Sequence, residues 1–116
     1  MSEDPRPVVE RYFACIRAGD PAVADLFCED ATIQGLGMRT QGRGAIADFY
    51  AGVIAGVRPR PSPKGGLART GNRVMAEIGL ADGGRVHAVD VFVIEEGQIR
   101  SLTYFTADLP TEPPQA

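Results

Sequence analysis

From Pro7 to Ala18 the apolar residues Val8, Val9, Tyr12, Phe13, Cys15 and Ile16 recur at the spacing of one helix face, and Gly19 follows as a stop. Asp20 then stands as an N-cap ahead of Pro21. Val23, Leu26 and Phe27 give a second, short helix an apolar side that ends near Cys28. Ala31 to Ile33 reads as a short strand, and residues 35–42 as a loop. The most regular helical spacing follows in GRGAIADFYAGVIAGV, where Ile46, Phe49, Tyr50, Val53, Ile54 and Val57 share one face.

Beyond the proline-rich RPRPSPK the period changes to two: Val74, Ala76, Ile78 and Leu80 alternate with Arg73, Met75, Glu77 and Gly79. ADGG, residues 81–84, supplies a hairpin turn, and Arg85 to Ile94 a second strand. EEGQ at 95–98 turns again, and Ile99 to Thr106 forms the last strand. Helices followed by an antiparallel meander predict an α+β fold, one sheet with its helices packed on one face. One domain is expected over residues 1–116, with a folded core of about 7–108 and a proline-rich disordered tail at 109–116.

Composition narrows the function classes. With 116 residues, 44% of them hydrophobic, the chain can bury roughly two-thirds of its unfolded surface without a disulfide or structural metal. A net charge of -3 and a basic cluster confined to RPRPSPK argue against nucleic acid as a partner. Cys15 and Cys28 lie in patterned apolar segments, which predicts free thiols of a cytoplasmic protein rather than a disulfide or zinc site. With His87 as the single histidine, no metal centre is expected, and nothing calls for a cofactor. The polar start MSEDPRP and the lack of an apolar run of about 18 residues predict neither a signal peptide nor a membrane span.

One residue breaks the apolar pattern. In VHAVDVFVI, Asp90 shares a strand face with Val86, Ala88 and Phe92, while Val89, Val91 and Val93 lie on the other face with Arg85 and His87. Both faces are apolar, so Asp90 is expected to be enclosed. An unpaired buried carboxylate costs several kcal/mol and responds by staying protonated, which makes it a hydrogen-bond donor. Tyr12, Tyr50 and Tyr104 read on residue type alone as core aromatics with engaged hydroxyls, Glu77 as a solvated acid, and His87 as surface or subunit interface. GLGMRTQGRG lacks both the βαβ setting and the Lys-Ser/Thr ending of a phosphate loop.

The succession VVERYFACIRAGD, ADLFCEDATI, GRGAIADFY and VDVFVIEEGQIRSL resembles the nuclear transport factor 2-like superfamily, nearest its ketosteroid isomerase and SnoaL-like polyketide cyclase branches, over residues 7–106. The resemblance implies a cone: a curved antiparallel sheet wrapped around three N-terminal helices, with an apolar pocket between. It implies that Tyr12 and a protonated Asp90 form an oxyanion hole, with Tyr50 hydrogen-bonded to Tyr12 from behind; the neutral acid of ketosteroid isomerase is itself a standard example of such tuning. Phe27, Phe49, Phe92 and Leu102 are the expected pocket walls, Gly35, Tyr50 and Tyr104 are expected to complete the substrate-binding set, and Tyr104 is the residue expected to fill the pocket if it is closed. The usual base of the isomerase pattern is missing, because DATIQGLG places Gly35 where an aspartate is expected. Three readings follow. One is an isomerase- or cyclase-like enzyme whose base is Glu77, a bound water or the substrate. The second is a non-catalytic protein binding an apolar carbonyl or phenolic ligand. The third is an interaction protein, and a homodimer through the outer sheet face is expected.

Overall fold

The computed structural model describes residues 4–35, 37–56, 62–63, 66–79 and 87–107, the side chains of 62, 63, 79, 87, 106 and 107 excepted. Helix α1 (Arg6–Ala18) buries Val8, Val9, Tyr12, Phe13 and Ile16 and ends at Gly19, whose φ of 67° lets the chain leave the helix. Asp20 caps the next turn by accepting from the Ala22 N–H at 2.9 Å. That turn, Pro21–Leu26, is a 3-10 helix: the expected short second helix is present, tightly wound, and ends at Leu26 rather than near Cys28. Helix α2 (Arg43–Gly56) buries Ile46 and Tyr50 and leaves Phe49, Val53 and Ile54 half-buried.

The strands are β1 (Phe27–Gly35), β2 (Met38–Gln41), β3 (Ser62–Pro63), β4 (Ala68–Thr70), β5 (Arg73–Gly79), β6 (His87–Glu95) and β7 (Gln98–Ala107). They form one unclosed sheet in the order β2-β1-β7-β6-β5-β3, with β4 also paired to β5. All pairings are antiparallel except β1 with β7, which is parallel and departs from the expected meander. Register shifts between Phe27 and Thr32 in β1, and between Val93 and Ile94 in β6, supply the irregularities that bend a sheet around helices. The expected turn at 81–84, the neighbouring residues 80, 85 and 86, most of RPRPSPK, and the tail at 109–116 lie outside the described residues.

The register sorts the sheet's inner face into rows. Val74, Phe92, Leu102 and Ile33 form an apolar row, every member of it fully buried. The next row toward the chain-reversed end of β6 is Ala76, Asp90 and Tyr104, with Gly35 packed beside Tyr104. Asp90 is therefore one step above the sealed floor of the core.

Candidate functional site

Three elements each deliver one tyrosine to the same point: Tyr12 from α1, Tyr50 from α2 and Tyr104 from β7. The Tyr12 and Tyr50 hydroxyls are 2.8 Å apart, the contact that the family resemblance implied. Tyr104 closes the triangle, 3.1 Å from Tyr50 and 3.3 Å from Tyr12. These are all the tyrosines of the chain. Edge-on packing of Tyr12 against Phe92, with ring centroids 5.1 Å apart, fixes its ring over the sheet. Burial pushes all three phenols upward from their ordinary pKa, Tyr12 and Tyr50 well above it, and the neighbouring hydroxyls push Tyr12 further. The cluster is neutral at physiological pH, and each hydroxyl has one proton to give.

Asp90 stands directly opposite Tyr104 in the β6–β7 register and opposite Ala76 in β5. It is 5% exposed, the one buried charged side chain among the described residues. No hydrogen bond or ion pair joins its carboxyl to another described residue, so loss of water is the cause that raises its pKa to about 7. Small Ala76 flanks the acid on β5, while Gly35 packs closely against Tyr104 on the far side of β7.

Several expected roles change. Phe27, Phe92 and Leu102 have no exposed surface, so they are core floor rather than pocket wall. Phe49 and Tyr104 are half-buried and remain available as lining. Glu77 is exposed and pairs with Val89 on the outer face, which removes it as a base for an interior ligand. Gly35 has φ +135°, and a Cβ there would lie 2.6 Å from the Tyr104 carbonyl oxygen and 2.8 Å from its Cβ. The position is glycine because a strand approaches closely, and no side chain has room to act from it. Tyr12 makes no hydrogen bond to Asp90; the tyrosine beside the acid is Tyr104. Counting back from the EEGQ turn alone would set Thr103 against Asp90; the register shift between Val93 and Ile94, which no sequence pattern marks, brings Tyr104 opposite the acid instead.

A groove of about 500 Å³ lies elsewhere, at the β6–β7 turn, lined by Cys28, Asn72, Ile94, Glu95, Glu96, Gln98 and Arg100. None of the tyrosines reaches it. Among the described residues no cluster of histidine, cysteine and acidic side chains is arranged to hold a metal ion, and no helix is long and apolar enough to cross a membrane.

The bent, unclosed sheet over short helices is the fold this chain shares with a nuclear transport factor 2-like protein from Cytophaga hutchinsonii, at 17% identity, TM-score 0.74, and coverage of 92% and 93%. Within that fold class the chain belongs to the SnoaL-like domain family, whose pattern matches residues 9–102. Among solved structures it is similar to SalBIII, an epoxide hydrolase/cyclase-like enzyme in pyran ring formation in the polyether salinomycin. The identity there is 28%, the TM-score 0.77, and the match covers 90% of this chain and 91% of that one. It also shares its fold with putative polyketide cyclases. The one from Pseudomonas putida KT2440 has 24% identity, TM-score 0.76, and coverage of 90% and 92%. The one from Sinorhizobium meliloti has 24% identity, TM-score 0.72, and coverage of 85% and 94%. No curated protein matches the chain.

Proposed function

We propose that this chain binds an apolar small molecule bearing a carbonyl, phenolic or ether oxygen, and catalyses its isomerisation or ring closure with Asp90 as the proton-transferring group. The observation that carries the reading is the unpaired, buried carboxyl of Asp90 beside a neutral tyrosine cluster. An acid with a pKa of about 7 is present in both protonation states near neutrality, which is where general acid and general base efficiency meet. Isomerisation and cyclisation consume no net proton. One carboxyl can therefore protonate the oxygen that develops negative charge and recover a proton from the carbon or hydroxyl that loses one. The similarity to SalBIII supports the cyclase side of the proposal.

The Tyr12–Asp90 oxyanion hole of the ketosteroid isomerase pattern is a weaker reading. The Tyr12 hydroxyl is engaged with those of Tyr50 and Tyr104, and no acid occupies position 35. Turnover of a β,γ-unsaturated ketosteroid is expected to be feeble.

Because the chain has no tryptophan and all three of its tyrosines meet in the cluster, intrinsic tyrosine fluorescence reports on this site alone. A panel of flat phenols, enones and epoxy-alcohols, screened by that signal and then by turnover, tests the proposal. Asp90→Asn should lower turnover on the order of 10²-fold or more. Binding that survives with no turnover of any such compound would leave a pure binding protein, and no binding at all would remove the pocket.

A second part of the proposal is self-association through the outer sheet face, where Phe105 is 57% and Val89 39% exposed as cross-strand neighbours.

A further inference from the structure

We propose that Tyr104, rather than Tyr12, is the hydroxyl that meets the ligand's oxygen, holding it together with Asp90; the assignment rests on the pocket reading above. Three hydroxyls carry three protons and make three mutual contacts, so a closed ring can engage every proton internally. A ligand must redirect one of them. Tyr12 and Tyr50 are only 4% and 2% exposed and hold each other at 2.8 Å. Tyr104 is half-buried and makes the two longer contacts of the ring, so its proton is the least costly to turn outward. When it turns, its oxygen still accepts from the ring, and polarisation by the hydroxyls behind strengthens the bond it donates.

The backbone places the second donor. Asp90 and Tyr104 are directly opposed across β6 and β7 and share the inner face, which sets their Cβ atoms about 5 Å apart, yet no hydrogen bond joins carboxyl to hydroxyl. A ligand oxygen between them satisfies the unpaired acid and takes Tyr104's proton at the same time. Gly35, seated against the Tyr104 backbone, limits movement of that strand segment away from Asp90. The chemistry suits an oxygen that is a strong acceptor: a ketone, a phenolate or the enolate derived from a ketone.

The test uses 4-nitrophenol, whose visible absorbance separates bound phenol from bound phenolate, on the wild-type chain and on Asp90→Asn, Tyr104→Phe and Tyr12→Phe. Losing a donor to a charged or strongly polar acceptor should make Tyr104→Phe bind about tenfold or more weaker with less phenolate bound, while Tyr12→Phe changes affinity only about twofold to threefold. A greater loss in Tyr12→Phe, or tighter binding in Tyr104→Phe, overturns the assignment. In the second case Tyr104 is a plug over the Tyr12 and Tyr50 donors. Binding that ignores Asp90→Asn, or no binding by wild type, removes the pocket reading itself and the assignment with it. A measurement on unmodified protein guards against a misfolded variant. With ring-¹³C tyrosine, the phenolic carbon of Tyr104 should shift more than that of Tyr12 when the probe binds, and the reverse order would sink the proposal.

Discussion

Asp90 holds stability and chemistry in opposition. Its pKa is raised by burial from 3.8 to about 7, so the folded chain binds a proton that the unfolded chain releases between those values. Stability from this group is therefore highest below about pH 4, falls as pH rises toward 7, and levels off above that, the total cost being on the order of 4 kcal/mol. Asparagine carries no charge to desolvate. Asp90→Asn, whose amide still lacks partners, should melt below wild type at pH 4 and above it at pH 8, by several degrees in each case, corresponding to about 1–3 kcal/mol either way. Thermal unfolding of both proteins across that range checks the prediction, and equal curves at pH 8 would mean that the native carboxylate is well solvated. The gain in stability with loss of turnover would identify Asp90 as an acid retained for function rather than for the fold.

At the scale of elements, β1 shows why part of the architecture was readable and part was not. The helix faces of α1 and α2 and the alternation of β5 through β7 follow directly from their apolar spacing, and Asp90 was legible as an acid enclosed in an apolar strand. In β1 the register shift between Phe27 and Thr32 exposes Glu29 on a position that simple alternation would bury, so Phe27 reads as the end of a helix and only Ala31 to Ile33 as strand. Strands β2 and β4 bury no side chain and leave no hydrophobic signal. The parallel pairing of β1 with β7 joins distant segments, which no local pattern announces. Tyr104 was legible as an inward aromatic, but its hydrogen bonds depend on where two separate helices bring Tyr12 and Tyr50. The same junction supplies a contrast in cost. Gly35→Ala puts a methyl group 2.6 Å from backbone oxygen at φ +135° and should destabilise by about 2–4 kcal/mol while disturbing tyrosine fluorescence. Arg100→Ala breaks exposed ion pairs with Asp30 and Glu95 on the neighbouring surface and should shift the unfolding midpoint far less, because solvent screens those charges. Denaturant midpoints for the pair rank the two, and a larger loss at Arg100 would show that the ion pairs, not the close approach, hold β1 to β7.

At the scale of the whole molecule, the proposed self-association rests on the outer sheet face. Its rows run Phe105, Val89 and Glu77; then Thr103, Val91 and Met75; then Ser101, Val93 and Arg73. Apolar side chains occupy the middle, with an exposed acid and an exposed base at opposite ends of β5. A two-fold axis crossing the strands at Val91 exchanges the outer rows, which brings Glu77 of one copy over Arg73 of its partner and Val89 over the partner's Val93. The face is thus complementary to itself, as an isologous contact requires. Sedimentation at tens of micromolar should give about twice the 12.3 kDa of the chain. Phe105→Glu should weaken association by about tenfold or more, with little change in monomer stability because the residue is mostly exposed. Glu77→Arg should also weaken it through like charge against Arg73, and adding Arg73→Glu should restore it. A monomer in wild type removes the dimer, whereas a dimer untouched by Phe105→Glu moves it to another surface. A charge swap without rescue leaves the apolar stripe in place but refutes this orientation of the two copies.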